Sequence, residues 1–148
     1  MTESGDRETI LVVDDDPDWR RWVADYLDAH GHRVSTAASV EEALATLRDR
    51  AIGLMVLDVL YGRHSARAGV ELAEELHRHG EWRGLPIVFI SVLPTTEVVR
   101  ELGARHIPVS PDHIRIFEKP FDFPDFLRSV EEMLSVRRAE GGGDEEDA

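Results

Sequence analysis

Cysteine is missing from this 148-residue chain, which excludes a disulfide framework and any thiolate metal site and suits a reducing compartment. Long apolar runs are missing too. The longest apolar stretch, Leu85 to Pro94, is interrupted by Ser91 and falls short of the roughly 18 residues a membrane helix needs. Met1 to Glu8 is polar and carries three acids, the opposite of a secretory leader, so the expected location is the cytoplasm. Basic residues are scarce, 17 against 30 acids. The resulting net charge of −13 argues against nucleic acid as a direct partner, because phosphate backbones are met by Lys/Arg clusters. Part of that charge is local: Glu140, Asp144, Glu145, Glu146 and Asp147 give −5 with no base and leave −8 on the rest. Residues 139–148 join three glycines to these acids and are expected to form a disordered, solvated tail. What remains, with hydrophobic residues at 42% of the whole chain, fits one globular domain with its own core.

Short aliphatic runs alternate with longer segments of helical period. Thr9 to Val13 is an uninterrupted strand-like run that ends at Asp14. Asp16 then reads as an N-cap and Pro17 as the first helical residue, since proline there loses only an orphan N–H. Trp19, Trp22, Val23, Tyr26 and Leu27 form one stripe on that helix, read as core, and His30-Gly31 stops it. Asp16 and Asp18 are assigned to helix capping alone. Arg33 to Ala37 is a second strand, and Ser39 with Glu42 makes a capping box for a helix that buries Val40, Ala43, Leu44 and Leu47. The pattern repeats: strands at Ile52–Leu57, Pro86–Ser91 and Ile114–Phe117, helices at Gly69–Gly80 and Thr95–Leu102. A last helix has the stripe Phe126, Leu127, Val130, Met133 and Leu134. Five strands alternating with five helices predict an α/β fold, a doubly wound parallel sheet covered on both faces.

In such sheets chemistry gathers beyond the carboxyl ends of the strands. The first strand ends in Asp14-Asp15, the third in Asp58, the fourth in Ser91, and Lys119-Pro120 follows the fifth. Three carboxylates, a hydroxyl and an ammonium thereby arrive at one edge. Converging carboxylates repel one another and raise at least one pKa unless a cation lies among them. A hard divalent ion with oxygen ligands meets that need, and Mg2+ is the expected cofactor. A carboxylate so placed can attack phosphorus to give an acyl phosphate, with Lys119 and the metal neutralising phosphoryl oxygens and the Ser91 hydroxyl hydrogen-bonding one of them. The seven histidines lack ligand spacing; His77 and His79 lie two apart on a helix and face different ways, which argues against zinc.

The stretches ILVVDDDP, LMVLD, PIVFIS and EKPF, in this strand context, resemble the receiver domain of bacterial two-component response regulators, from about Thr9 to Val136. The resemblance implies a flavodoxin-like (β/α)5 sheet of strand order 2-1-3-4-5. It divides the chain into a flexible N-terminus at 1–8, a receiver domain at 9–138 and the acidic tail at 139–148. It also implies that Asp58 is the phosphoacceptor and Asp15 a direct Mg2+ ligand, with Asp14 positioning metal-bound water and Leu60 lending its backbone carbonyl to the metal. Ser91 and Lys119 would touch the phosphoryl group, and the Lys119-Pro120 bond is expected to be cis. The implied function is that of a single-domain response regulator. It would be phosphorylated by a sensor histidine kinase or a phosphotransfer protein, and would signal through protein contact with an output partner. No output domain is expected after the receiver pattern. A monomer or weak homodimer is expected.

The chain departs from the family pattern at several points. Gly69 lies eleven residues after Asp58, with Tyr61 to Arg67 filling the lengthened loop; Val92, bulky beside Ser91, is placed to crowd the acceptor. Ile116 stands where an aromatic switch residue is usual, and His106 to His113 looks inserted. Leu60 and Leu93, which by the family pattern flank the water approach to the acceptor, cannot orient a water. Two other readings stay open. One is a receiver-like interaction module that works without phosphorylation. The other is an aspartate-nucleophile phosphohydrolase resembling the haloacid dehalogenase family, whose D-x-D-x-T/V motif fails here at Asp18.

Overall fold

The computed structural model describes residues 8–58 and 67–147. Its elements are β1 (Thr9–Val13), α1 (Pro17–Ala29), β2 (Val34–Ala37), α2 (Val40–Asp49), β3 (Ile52–Asp58), α3 (Arg67–Arg78), β4 (Ile87–Ser91), α4 (Thr95–Ala104), β5 (Ile114–Glu118) and α5 (Phe123–Asp147), with a 3-10 turn at Gly80–Trp82. All four strand pairings are parallel and the order is β2-β1-β3-β4-β5, the predicted doubly wound, flavodoxin-like topology.

Side-chain alternation along the strands splits the core in two. Leu11, Val13, Met55, Leu57, Ile87 and Phe89 face α2, α3 and α4, meeting Ala43, Leu47, Val70, Leu76, Val98 and Leu102. The intervening residues Ile10, Val12, Leu54, Val56, Val88 and Ile90 face α1 and α5, meeting Val23, Leu27, Phe126, Val130 and Met133. The central strands β1, β3 and β4 are buried along their whole length, so neither of their faces meets water.

The helix starts are built as their sequence requires. Asp16 accepts hydrogen bonds from the backbone N–H of Asp18 and Trp19 at 3.0 and 3.3 Å, with Pro17 opening α1. Ser39 Oγ accepts from Glu42 N–H at 3.0 Å while the Glu42 carboxylate accepts from Ala38 N–H at 2.8 Å, and each such cap stabilises its helix by about 1 kcal/mol. The segment before β5 is anchored by Ile107, which is buried in the α2–α4 half of the core, after a left-handed turn at His106 (φ 60°).

Two expectations fail. Trp22 is 59% exposed. The packed stripe of α1 runs from half-buried Trp19 through buried Val23 and Leu27 at a spacing of four, and this leaves Trp22 on its flank, touching Trp19 edge-on with ring centroids 5.9 Å apart. At the C-terminus, α5 does not stop at 138 but continues as helix to Asp147. Its packed stripe ends at Leu134, so the extension is a propagation of turns already nucleated, which the glycines at 141–143 oppose by about 1 kcal/mol each. Among the described residues no helix is long and apolar enough to cross a membrane.

Candidate active site

The parallel register brings the strand ends level. Val13 is paired with Leu57 and with Ala37, Asp58 with Ile90, and Ser91 with Glu118, so the next residues Asp14 and Lys119 meet Asp58 and Ser91 at one edge. Asp14 N–H donates to Ala37 O at 3.1 Å, which carries the ladder one residue past β1 and turns the Asp14 side chain to the same side as Ile10 and Val12. The result is burial of charge. Asp14 is 2% exposed, Asp58 8% and Ser91 0%, whereas Asp15 is exposed.

Lys119 Nζ lies 3.2 Å from Asp58 Oδ2. The lysine backbone is fixed by its N–H, which donates to Ser91 O at 2.7 Å, and the Lys119-Pro120 bond is cis as expected. Asp14 has the harder environment. Burial, foremost, pushes its carboxyl up to about 7, aided by the charge of Asp58 and a hydrogen bond shared with it, and opposed by Asp16 N–H (3.0 Å) and by Lys119. The Asp14 carbonyl accepts from Arg20 Nη1 at 2.8 Å, which ties the acidic turn to α1.

Ser91 points elsewhere. Its Oγ accepts from Leu93 N–H at 2.8 Å and donates to Leu93 O at 3.1 Å, a local turn that uses up the hydroxyl. Donation from this hydroxyl to any other acceptor therefore requires the turn to release the serine. Val92 is 57% exposed, so its bulk faces solvent; Leu93 is half-buried against the α2–α4 side of the core. Leu60, assigned a metal-binding carbonyl, lies outside the described residues, as do Tyr61 to Ala66.

The donor set fits a hard cation. It is made of oxygens alone, and two carboxylates share a buried edge where one of them is forced towards its neutral form. Among the described residues no cluster of three or more acids or histidines forms a complete metal cage. His79, far from this edge, pairs with Glu75 at 3.3 Å.

One member of the site escaped the reading of the sequence. The Trp19 ring, assigned to the core, stands 4.8 Å from Lys119 Nζ. Lys119 itself carries a signal in the sequence: it is the chain's single lysine among 17 basic residues.

Residues 10–131 match the family described as "Response regulator receiver domain". Regulatory protein VirG of Agrobacterium tumefaciens is 29% identical over 132 residues, covering 86% of this chain and 44% of that protein. Response regulator RR06 of Streptococcus pneumoniae is 33% identical over 128 residues, covering 84% and 52%. The crystal structure of the receiver domain of NtrX from Brucella abortus superimposes with a TM-score of 0.70 at 32% identity, covering 85% of this chain and 98% of that one. The chain thus spans about half the length of these two curated relatives. With the matching order of strands and the acid–lysine edge they carry, this chain belongs to the receiver domains of two-component response regulators.

Proposed function

We propose that this receiver domain is a phosphorylation switch in which Asp58 accepts a phosphoryl group from a sensor histidine kinase or phosphotransfer protein in a Mg2+-dependent reaction. The observation that carries the proposal is the placement of Asp58: buried at the end of the central strand, 3.2 Å from the ammonium of the only lysine. An Asp58 carboxylate oxygen would attack phosphorus as the P–N bond of the donor's phosphohistidine breaks; the electron pair leaves with the imidazole, which takes up a proton. Lys119 would follow the negative charge as it moves onto the phosphoryl oxygens, and Ser91 would donate to one of them after leaving its turn. Asp14, Asp15, Asp58 and the Leu60 carbonyl would hold Mg2+, which when bound supplies positive charge to the transferring group.

Receiver domains are signalling domains, so the output of this reaction is a change in surface and not a released product. The net charge of −13 supports a protein and not nucleic acid as the direct output partner; the proposed setting is the cytoplasm, and the proposed state of the domain a monomer or weak homodimer. A second reading, an interaction module that works unphosphorylated, is favoured by one observation: the Ser91 hydroxyl is already engaged by Leu93. Incubation with acetyl phosphate and Mg2+, read by intact mass, separates the two. Wild type should gain one phosphoryl group and Asp58→Asn none. Label that persists in Asp58→Asn and maps elsewhere defeats the assignment, and no label on wild type favours the second reading.

A further inference from the structure

Among the described residues, the Lys119 ammonium is met both by acid and by an aromatic face. Asp58 Oδ2 is 3.2 Å from Nζ, and the centroid of the Trp19 ring is 4.8 Å from it. A tryptophan face attracts an ammonium through its quadrupole more strongly than any other side-chain ring. The lysine side chain is 22% exposed, and its flexible stem has water as an alternative.

The ring is itself held firmly. Trp19 belongs to the first turn of α1, where its N–H bonds to the Asp16 cap that directly follows the Asp14-Asp15 pair. Phe121, two residues after the lysine, meets Trp19 edge-on at 89° with centroids 5.7 Å apart, and Phe123 packs at 6.0 Å. The same ring therefore grips both the ammonium and the loop that carries it. Its indole N–H is buried without a hydrogen-bond partner among the described residues. A buried indole normally finds an acceptor, so the orientation here is set by what the ring faces touch and not by its nitrogen.

We propose that Trp19 is a positioning residue for phosphoryl transfer, its indole face holding the Lys119 ammonium against Asp58. This role rests on Asp58 being the acceptor. It places the lysine before the donor arrives, so the ammonium need not be recruited from solvent during the reaction.

Because Lys119 is the only lysine, protein labelled with 13C at lysine Cε gives a single side-chain signal with no background. Protons lying over an aromatic face are shielded, so the Lys119 Hε resonance should stand upfield of free lysine in wild type. It should return to the free position in Trp19→Leu and keep part of its shift in Trp19→Phe. Phosphorylation by acetyl phosphate with Mg2+ should slow by about tenfold in Trp19→Leu and stay within about threefold of wild type in Trp19→Phe. An unshifted wild-type resonance overturns the proposal, as does loss of the shift with no change in rate. If Trp19→Leu does not fold, the wild-type resonance and the rate of Trp19→Phe, which keeps a smaller ring, still decide: a Trp19→Phe rate as slow as that of Lys119→Ala refutes simple ring positioning. A shifted resonance in a wild type that takes up no phosphate instead defeats the acceptor reading, and the role in transfer with it.

Discussion

Replacing Asp14 by asparagine should stabilise the metal-free domain at neutral and alkaline pH and do little in acid. In the folded protein the Asp14 carboxyl is raised from its ordinary 3.8 to about 7, first by burial and then by the adjacent Asp58 charge. A carboxyl raised on folding binds its proton more tightly in the native state than in the unfolded chain. Its contribution is therefore intact below the unfolded value and is lost as pH climbs through the folded one. A shift of this size corresponds to about 4 kcal/mol at most, and relaxation with water entry should reduce it to about 2 kcal/mol. Asparagine keeps an oxygen for Asp16 N–H and a donor for Asp58 but has nothing to ionise. The stability gap should open between about pH 4 and pH 7 and plateau above, where a gain of about 2 kcal/mol raises Tm by roughly 5–10 °C. Thermal unfolding of both proteins followed by circular dichroism, in EDTA across that range, measures the gap. A gap that is independent of pH, or a variant less stable than wild type at about pH 8, would refute the reasoning.

Mg2+ at millimolar concentration should raise the Tm of wild type through linkage, and Asp15→Ala should lose most of that rise; a wild type that does not respond, in the same thermal assay, excludes the metal site. Phosphorylated protein should decay slowly, because apolar Leu93 and, by the family pattern, Leu60 would offer no polar group to orient a water at the Asp58 phosphorus; hydrolysis followed by intact mass should be faster, by up to about 10²-fold, in the double variant Leu60→Asn with Leu93→Glu, and equal decay would assign control to the lengthened loop instead. Phe126→Ala should cost about 3–5 kcal/mol in urea unfolding, since Phe126 is wholly buried between α5 and the sheet, whereas Trp22→Ala at its exposed position should cost about 1 kcal/mol or less.

The five-by-five alternation was legible because each element carries a local signal: apolar runs for the central strands, four-residue stripes and the Asp16 and Ser39 caps for the helices. Most of the acid–lysine edge was legible for a related reason. A parallel sheet brings every strand's carboxyl end to one side, so residues that follow separate strands meet without any knowledge of the packing. Resemblance to a known family added the strand order and the roles proposed for the individual carboxylates. The structure alone decided matters that depend on side-chain direction. Asp14 and Asp15 are indistinguishable neighbours in the sequence, yet one is 2% exposed and the other lies in solvent, because one more ladder bond turns only Asp14 inwards. Trp19 and Trp22 lie one turn apart on α1, yet the helix packs through Trp19, Val23 and Leu27, which brings Trp19 to Lys119 and leaves Trp22 59% exposed. The Ser91 hydroxyl, placed correctly at its strand end, is turned onto Leu93 by a hydrogen bond two residues long. Chain order fixes which residues reach an edge; only the packing of one element on another fixes which way each of them points.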